Sequence, residues 1–150
     1  MPLTIGLDVG TRTIGVARAD DRARMARPLL TLRREGTKKD VVRLLRALER
    51  EEVGAFVVGL PLQLDGDEGR SVRLARQVGE LLAAESGIPV HYQDERYSTV
   101  EATRILHLQG KNTRQQRDVI DETAAAVILQ DWLDAESAPP GAAVRATRES

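Results

Sequence analysis

From Thr4 to Val9 the chain alternates, with Ile5, Leu7 and Val9 on one side and Gly6 and Asp8 on the other. That two-residue period predicts a strand. Gly10 to Arg12 supply a turn, and Thr13 to Ala19 read as a second strand. A polar stretch from Asp20 to Ala26 leads to a third, Pro28 to Arg33. Three short strands in succession predict an antiparallel meander. The period then lengthens. Thr37 and Asp40 are spaced as a capping box with Asp in place of Glu or Gln, and Val41, Leu44, Leu45 and Leu48 follow at helical spacing. Phe56 to Leu60 is an unbroken apolar run closed by Pro61, the pattern of a strand covered on both faces.

A Gly- and Asp-rich loop, Gln63 to Gly69, precedes a second helix marked by Val72, Ala75, Val78 and Leu82 and ended near Gly87. Pro89 to Glu95 reads as the fifth strand. Ser98 and Glu101 form a full capping box for a third helix through Leu108, which Gly110 breaks. Thr113 and Gln116 begin a long last helix carrying Ile120, Ala124, Val127, Ile128 and Leu133. The order βββ-α-β-α-β-α-α predicts an α/β fold, a mixed five-stranded sheet with helices on both faces. Right-handed crossovers set the fourth and fifth strands parallel to the first, giving strand order 3-2-1-4-5.

The 150 residues suit one domain, placed at 1–134, with an Ala-, Pro- and charge-rich tail, 135–150, expected to be disordered. No apolar run approaches the roughly 20 residues of a membrane span, and no signal peptide is visible, so the expected address is cytoplasmic and no membrane partner is expected. The absence of cysteine excludes disulfides, thiolate metal sites and cysteine nucleophiles. A net charge of −1 does not by itself announce a nucleic-acid binder. Basic residues nevertheless cluster, Arg22, Arg24 and Arg27 in one stretch and Lys111, Arg114 and Arg117 in another.

Candidate chemistry lies in three acids. Asp8 sits near the carboxyl end of the first strand, just before Gly10, where open α/β sheets place their ligands. Glu95 closes the fifth strand, and the strand between ends at Gly59, which has no side chain to fill the gap. Asp121 lies in the last helix in line with Ala125 and Ile128, so it should point toward the sheet. Asp118, three residues earlier, could replace or assist it. Clustered carboxylates repel unless cations lie between them. An all-oxygen donor set suits Mg²⁺ or Mn²⁺. Two such ions about 4 Å apart stabilise the attacking and leaving oxygens of a phosphodiester displacement. Each acid also has a plainer role available: Asp8 as a turn residue, Glu95 paired with Arg96 or Arg12, Asp121 as a surface acid. Ser98 is accounted for by its capping box, His91 and His107 as structural or exposed, and Trp132 as packing.

The segments IGLDVGTRTIGVA, VVGLPLQLDG, DERYST and DETAAAVILQDWL together resemble the YqgF/RuvX family, from about Leu3 to Leu133. The resemblance implies a ribonuclease H-like fold related to the RuvC Holliday junction resolvases. Its members are described as junction resolvases or as nucleases acting at the 5′ end of precursor 16S ribosomal RNA. Carried over by position, the family's acids fall on Asp8, Glu95 and Asp121, and its basic residues before the last Asp on Arg114 and Arg117. The implied partner is nucleic acid, branched DNA or precursor rRNA, with Arg12, Lys111, Arg114 and Arg117 as candidate contacts. A resolvase must make paired cuts, so a homodimer is a further expectation. Two other readings compete. An actin-like or sugar kinase-like ATPase begins with a similar Asp-x-Gly-Thr loop but binds nucleotide between two related domains, and 150 residues supply one. A catalytically silent ribosome-assembly or nucleic-acid-binding module would not need all three acids.

Overall fold

The computed structural model describes residues 2–20, 22, 24–61, 69–95 and 114–137, with the backbone alone for 114–117 and 137. Strands β1 (Leu3–Val9), β2 (Thr13–Asp20) and β3 (Arg27–Arg33) form the meander. Helix α1 (Thr37–Ala47), strand β4 (Val53–Leu60), helix α2 (Arg70–Ser86), strand β5 (Val90–Asp94) and helix α3 (Arg114–Ser137) follow. The sheet has the expected order β3-β2-β1-β4-β5, with β1, β4 and β5 parallel. The helix expected over 98–108 and the 138–150 part of the tail lie outside the described residues. No helix among the described residues is long and apolar enough to cross a membrane.

Alternation along each strand sorts side chains between two apolar layers. Ile5, Leu7, Val9, Ile14, Val16, Phe56, Val58 and Leu60 pack under α1 and α2 with Val41, Leu44, Val72, Ala75, Val78 and Leu82. Ala17, Ala19 and Val57 pack under α3 with Ala124, Ala125, Ile128, Leu129 and Leu133. Each fully buried Leu, Ile, Val or Phe contributes roughly 1.5–3 kcal/mol, so both layers hold the sheet firmly.

The α3 side is packed unusually closely because the sheet presents glycines there. A β-carbon at Gly6 would meet Leu129 Cβ at 2.7 Å, and one at Gly59 would meet Ile128 Cδ1 at 2.6 Å. At Gly15 it would fall 2.1 Å from the Asp121 carbonyl oxygen. The helix backbone therefore rests on the strand backbone at that point. Thr31 Oγ1 donates to Asp118 O at 2.7 Å near the start of α3, and Ala26 N donates to Gln130 Oε1 at 2.9 Å farther along.

Several boundaries differ from expectation. β4 begins at Val53 rather than Phe56, since parallel pairing with β1 extends back to Leu3. α3 runs to Ser137, past the domain end expected at 134. Gly36, not Thr37, caps α1, and no side chain closes that cap. The spacing of Thr37 and Asp40 suggested a box, but Asp40 is drawn into a buried cluster of its own, described below. Gly87 ends α2 as expected, in the left-handed region at φ 71°, with its N–H on Ala83 O at 3.0 Å.

Candidate active site

The carboxyl ends of β1, β4 and β5 lie at one end of the sheet, as parallel pairing requires. Asp8, next to last in β1, has Gly15 as its partner in β2. Gly6 and Gly15 both meet α3, so Asp8 shares that face by alternation. The backbone of Asp121 passes directly over Gly15, which sets Asp121 beside Asp8 although 113 positions separate them in sequence. Thr13 Oγ1 donates to Asp121 Oδ2 at 2.6 Å and holds that carboxylate at the rim of the sheet. The helix turn that carries Asp121 therefore lies against the strand row of Asp8.

Glu95 follows β5 and donates its backbone N–H to Leu60 O at 3.0 Å. His91, two places before Gln93 on the same strand, stacks on Trp132 of α3 with ring centroids 5.1 Å apart. Continuing that alternation puts Glu95 on the α3 face as well, and both its carboxylate oxygens are shielded from solvent. The register places it farther from Asp8 than expected. Leu7 pairs with Val58 and Gly59 with Gln93, so Glu95 stands two residues beyond the row of Asp8. Two strand spacings and two residue rises put the Asp8 and Glu95 backbones about 12 Å apart rather than about 10 Å. Among the described residues, no three acidic or histidine side chains converge tightly enough to hold an ion.

Asp118 is paired on the β3 side. Its Oδ1 accepts a hydrogen bond from Arg33 Nη2 at 2.9 Å, which draws it toward β3. Arg12 is exposed at the tip of the β1–β2 turn. Gly10 closes that turn, its N–H on Thr13 O at 2.8 Å. Gly59 lies under Ile128, so a helix side chain and not open space covers it. Lys111, Ser98 and His107 lie outside the described residues. Arg114 and Arg117 fall in the first turn of α3 by backbone position.

Sequence reasoning missed a cluster behind the turn. Asp40 is fully buried, and its Oδ2 accepts from Arg34 Nε at 2.7 Å while its Oδ1 accepts from Arg43 Nη1 at 3.0 Å and Glu35 N at 2.9 Å. Arg34 also donates to Gly10 O at 3.0 Å and to Thr37 Oγ1 at 3.0 Å, and its backbone N–H reaches Arg12 O at 2.8 Å. One guanidinium thus ties the turn after Asp8 to α1. The only sequence signal was an acid among basic residues, which a capping box explained equally well.

Residues 3–135 match the family described as "RuvX: Holliday junction resolvase". The chain belongs to the RuvX family. An Anaeromyxobacter sp. (strain Fw109-5) relative named "Putative pre-16S rRNA nuclease" is 48% identical over 134 residues, covering 89% of this chain and 98% of the relative. A Myxococcus xanthus protein of the same name is 43% identical over 136 residues, covering 91% and 90%. Among solved structures, Thermus thermophilus RuvC in complex with a Holliday junction substrate is similar, with TM-score 0.52, 20% identity, and coverage of 90% of this chain and 95% of that one. Fowlpox virus resolvase with Holliday junction DNA follows with TM-score 0.51, 10% identity, and coverage of 91% and 99%. These likenesses identify the RuvX sheet as ribonuclease H-like; at such low identity they speak to fold alone.

Proposed function

We propose that this RuvX protein is a Mg²⁺- or Mn²⁺-dependent endonuclease that hydrolyses phosphodiester bonds in structured nucleic acid. The reading is supported by the Asp121 backbone lying over Gly15, the β2 partner of Asp8, at the carboxyl end of the sheet. The donor chemistry fits a hard divalent cation, because the available ligands are carboxylate oxygens and the chain has no cysteine. Asp8 and Asp121 would hold it, with Glu95 reaching in from the end of β5. When bound, the ion supplies a lowered water pKa and offsets charge developing on the phosphate.

The chain's own residues do the positioning. Thr13 keeps the Asp121 carboxylate turned to the rim. Arg34 fixes the turn that follows Asp8. Arg12 stands exposed at that turn, where a phosphate next to the cleaved one would lie. Water attacks phosphorus, the bond to the 3′-oxygen breaks, and the products carry a 5′-phosphate and a 3′-hydroxyl.

The names of relatives more than 40% identical favour precursor 16S rRNA as the substrate. The family description favours a four-way DNA junction as the second reading. A cleavage panel with purified protein decides: precursor 16S rRNA, four-way junction, linear duplex and single strands, each with Mg²⁺ or Mn²⁺ and with chelator. The proposal predicts metal-dependent cutting of the rRNA precursor in preference to linear duplex. A protein that cuts no member of the panel would overturn it.

A further inference from the structure

Helix first turns favour acids, because the helix dipole and open N–H groups there are positive. Here α1 begins with Lys38 and Lys39, and α2 has Arg70 and Arg73 with no acid in its first turn. All four are exposed, and none forms an ion pair among the described residues. The acid in the first turn of α1, Asp40, is buried and bound by Arg34 and Arg43, so it does not offset the surface charge. Exposed Glu35 lies 3.5 Å from Arg43. Among the described residues, no acid is paired with these four cations.

Topology explains where the charge goes. β3 is antiparallel to β2, which is antiparallel to β1, so β3 and β4 end at the same edge as Asp8. α1 leaves from β3 and α2 from β4, and the two pack side by side on the face opposite α3. Both first turns therefore lie at the carboxylate end of the sheet, the end that also holds the β1–β2 turn with Arg12.

We infer that Lys38, Lys39, Arg70 and Arg73 form a second phosphate-binding surface that carries the substrate backbone away from Asp8 and Asp121 across the α1–α2 side. The inference rests on the nuclease reading only in taking the polyanion to be the substrate. It assigns the contacts to sugar-phosphate and not to bases, since these are four long, exposed cations with no aromatic ring among them.

The test is binding of a fluorescein-labelled RNA hairpin with a single-stranded 5′ extension, titrated across salt without divalent cations, with a labelled four-way DNA junction as the second arm. The proteins compared are wild type, Lys38→Gln/Lys39→Gln and Arg70→Gln/Arg73→Gln. Each lost phosphate contact makes the log–log salt slope shallower by about 0.7–0.9, so each double variant should lose about 1.4–1.8. Affinity at about 0.1 M salt should fall roughly 30-fold. The urea midpoint should stay level or rise, since the replaced charges oppose the helix dipole. Slopes equal to wild type in both folded variants would overturn the inference, even if the wild type cuts RNA. Shallower slopes in a protein that binds but never cuts would sustain it while sinking the nuclease reading.

Discussion

A single added methyl at Gly15 tests whether α3 is seated where the site needs it. A β-carbon there would lie 2.1 Å from the Asp121 carbonyl oxygen and 2.5 Å from its carbonyl carbon. Both are helix backbone atoms, so no side-chain rotation relieves the clash. Ordinary contact begins near 3.4 Å, so the helix must retreat by about 1.3 Å to restore a normal separation. Overpacking typically costs about 1–3 kcal/mol, and a backbone clash belongs at the upper end of that range. Asp121 travels with its helix, and a misplacement of about 1 Å lowers turnover on the order of 100-fold. Gly59→Ala is the matched control. Its new methyl meets the tip of Ile128, which can turn away, so the expected loss is about 1 kcal/mol with cleavage within roughly tenfold of wild type. Urea unfolding measures the first quantity and single-turnover cleavage of the labelled rRNA precursor the second. A Gly15→Ala protein as stable and as fast as wild type would refute this seating of α3.

Other perturbations separate the roles of neighbouring groups. Thr13→Val removes the hydroxyl donor to Asp121 and should lower cleavage about 10–100-fold, with the urea midpoint nearly unchanged. Asp40→Ala leaves Arg34 buried without its carboxylate and should cost about 3–5 kcal/mol in urea unfolding. Charge reversal at Arg114 and Arg117 should weaken substrate binding, read as a shallower salt slope. Burial chiefly, and Glu80 next, raise the Tyr92 hydroxyl above its ordinary pKa, with Arg76 opposing. A raised folded-state value means that stability is complete below about pH 10 and declines above it. Tyr92→Phe should flatten that alkaline decline, measured by urea unfolding across pH.

The strand order was legible because strand and helix patterns alternate clearly and right-handed crossovers leave one arrangement, with Gly10 two residues after Asp8 and Pro61 two after Gly59. Registers were not. The Asp8 and Glu95 rows differ by two residues because β5 pairs with β4 through Gln93, which only long-range contact decides. Gly15 and Gly6 read as ordinary small residues in strands, yet they set how near α3 comes. Asp40 fitted a capping pattern, and its burial between Arg34 and Arg43 depends on the β1–β2 turn folding against α1. Thr13 carried no signal, since its partner lies 108 positions away.

Metal uptake can be measured directly. Calorimetric titration with Mn²⁺ of wild type, Asp8→Asn, Asp121→Asn and Glu95→Gln, each with and without a non-cleavable RNA analogue, tests whether the three carboxylates serve one centre. Stoichiometric Mn²⁺ binding to wild type, weakened at least about tenfold by each substitution, is the expected result. A wild type that takes up no Mn²⁺ even with RNA bound, or affinity indifferent to all three substitutions, would contradict it.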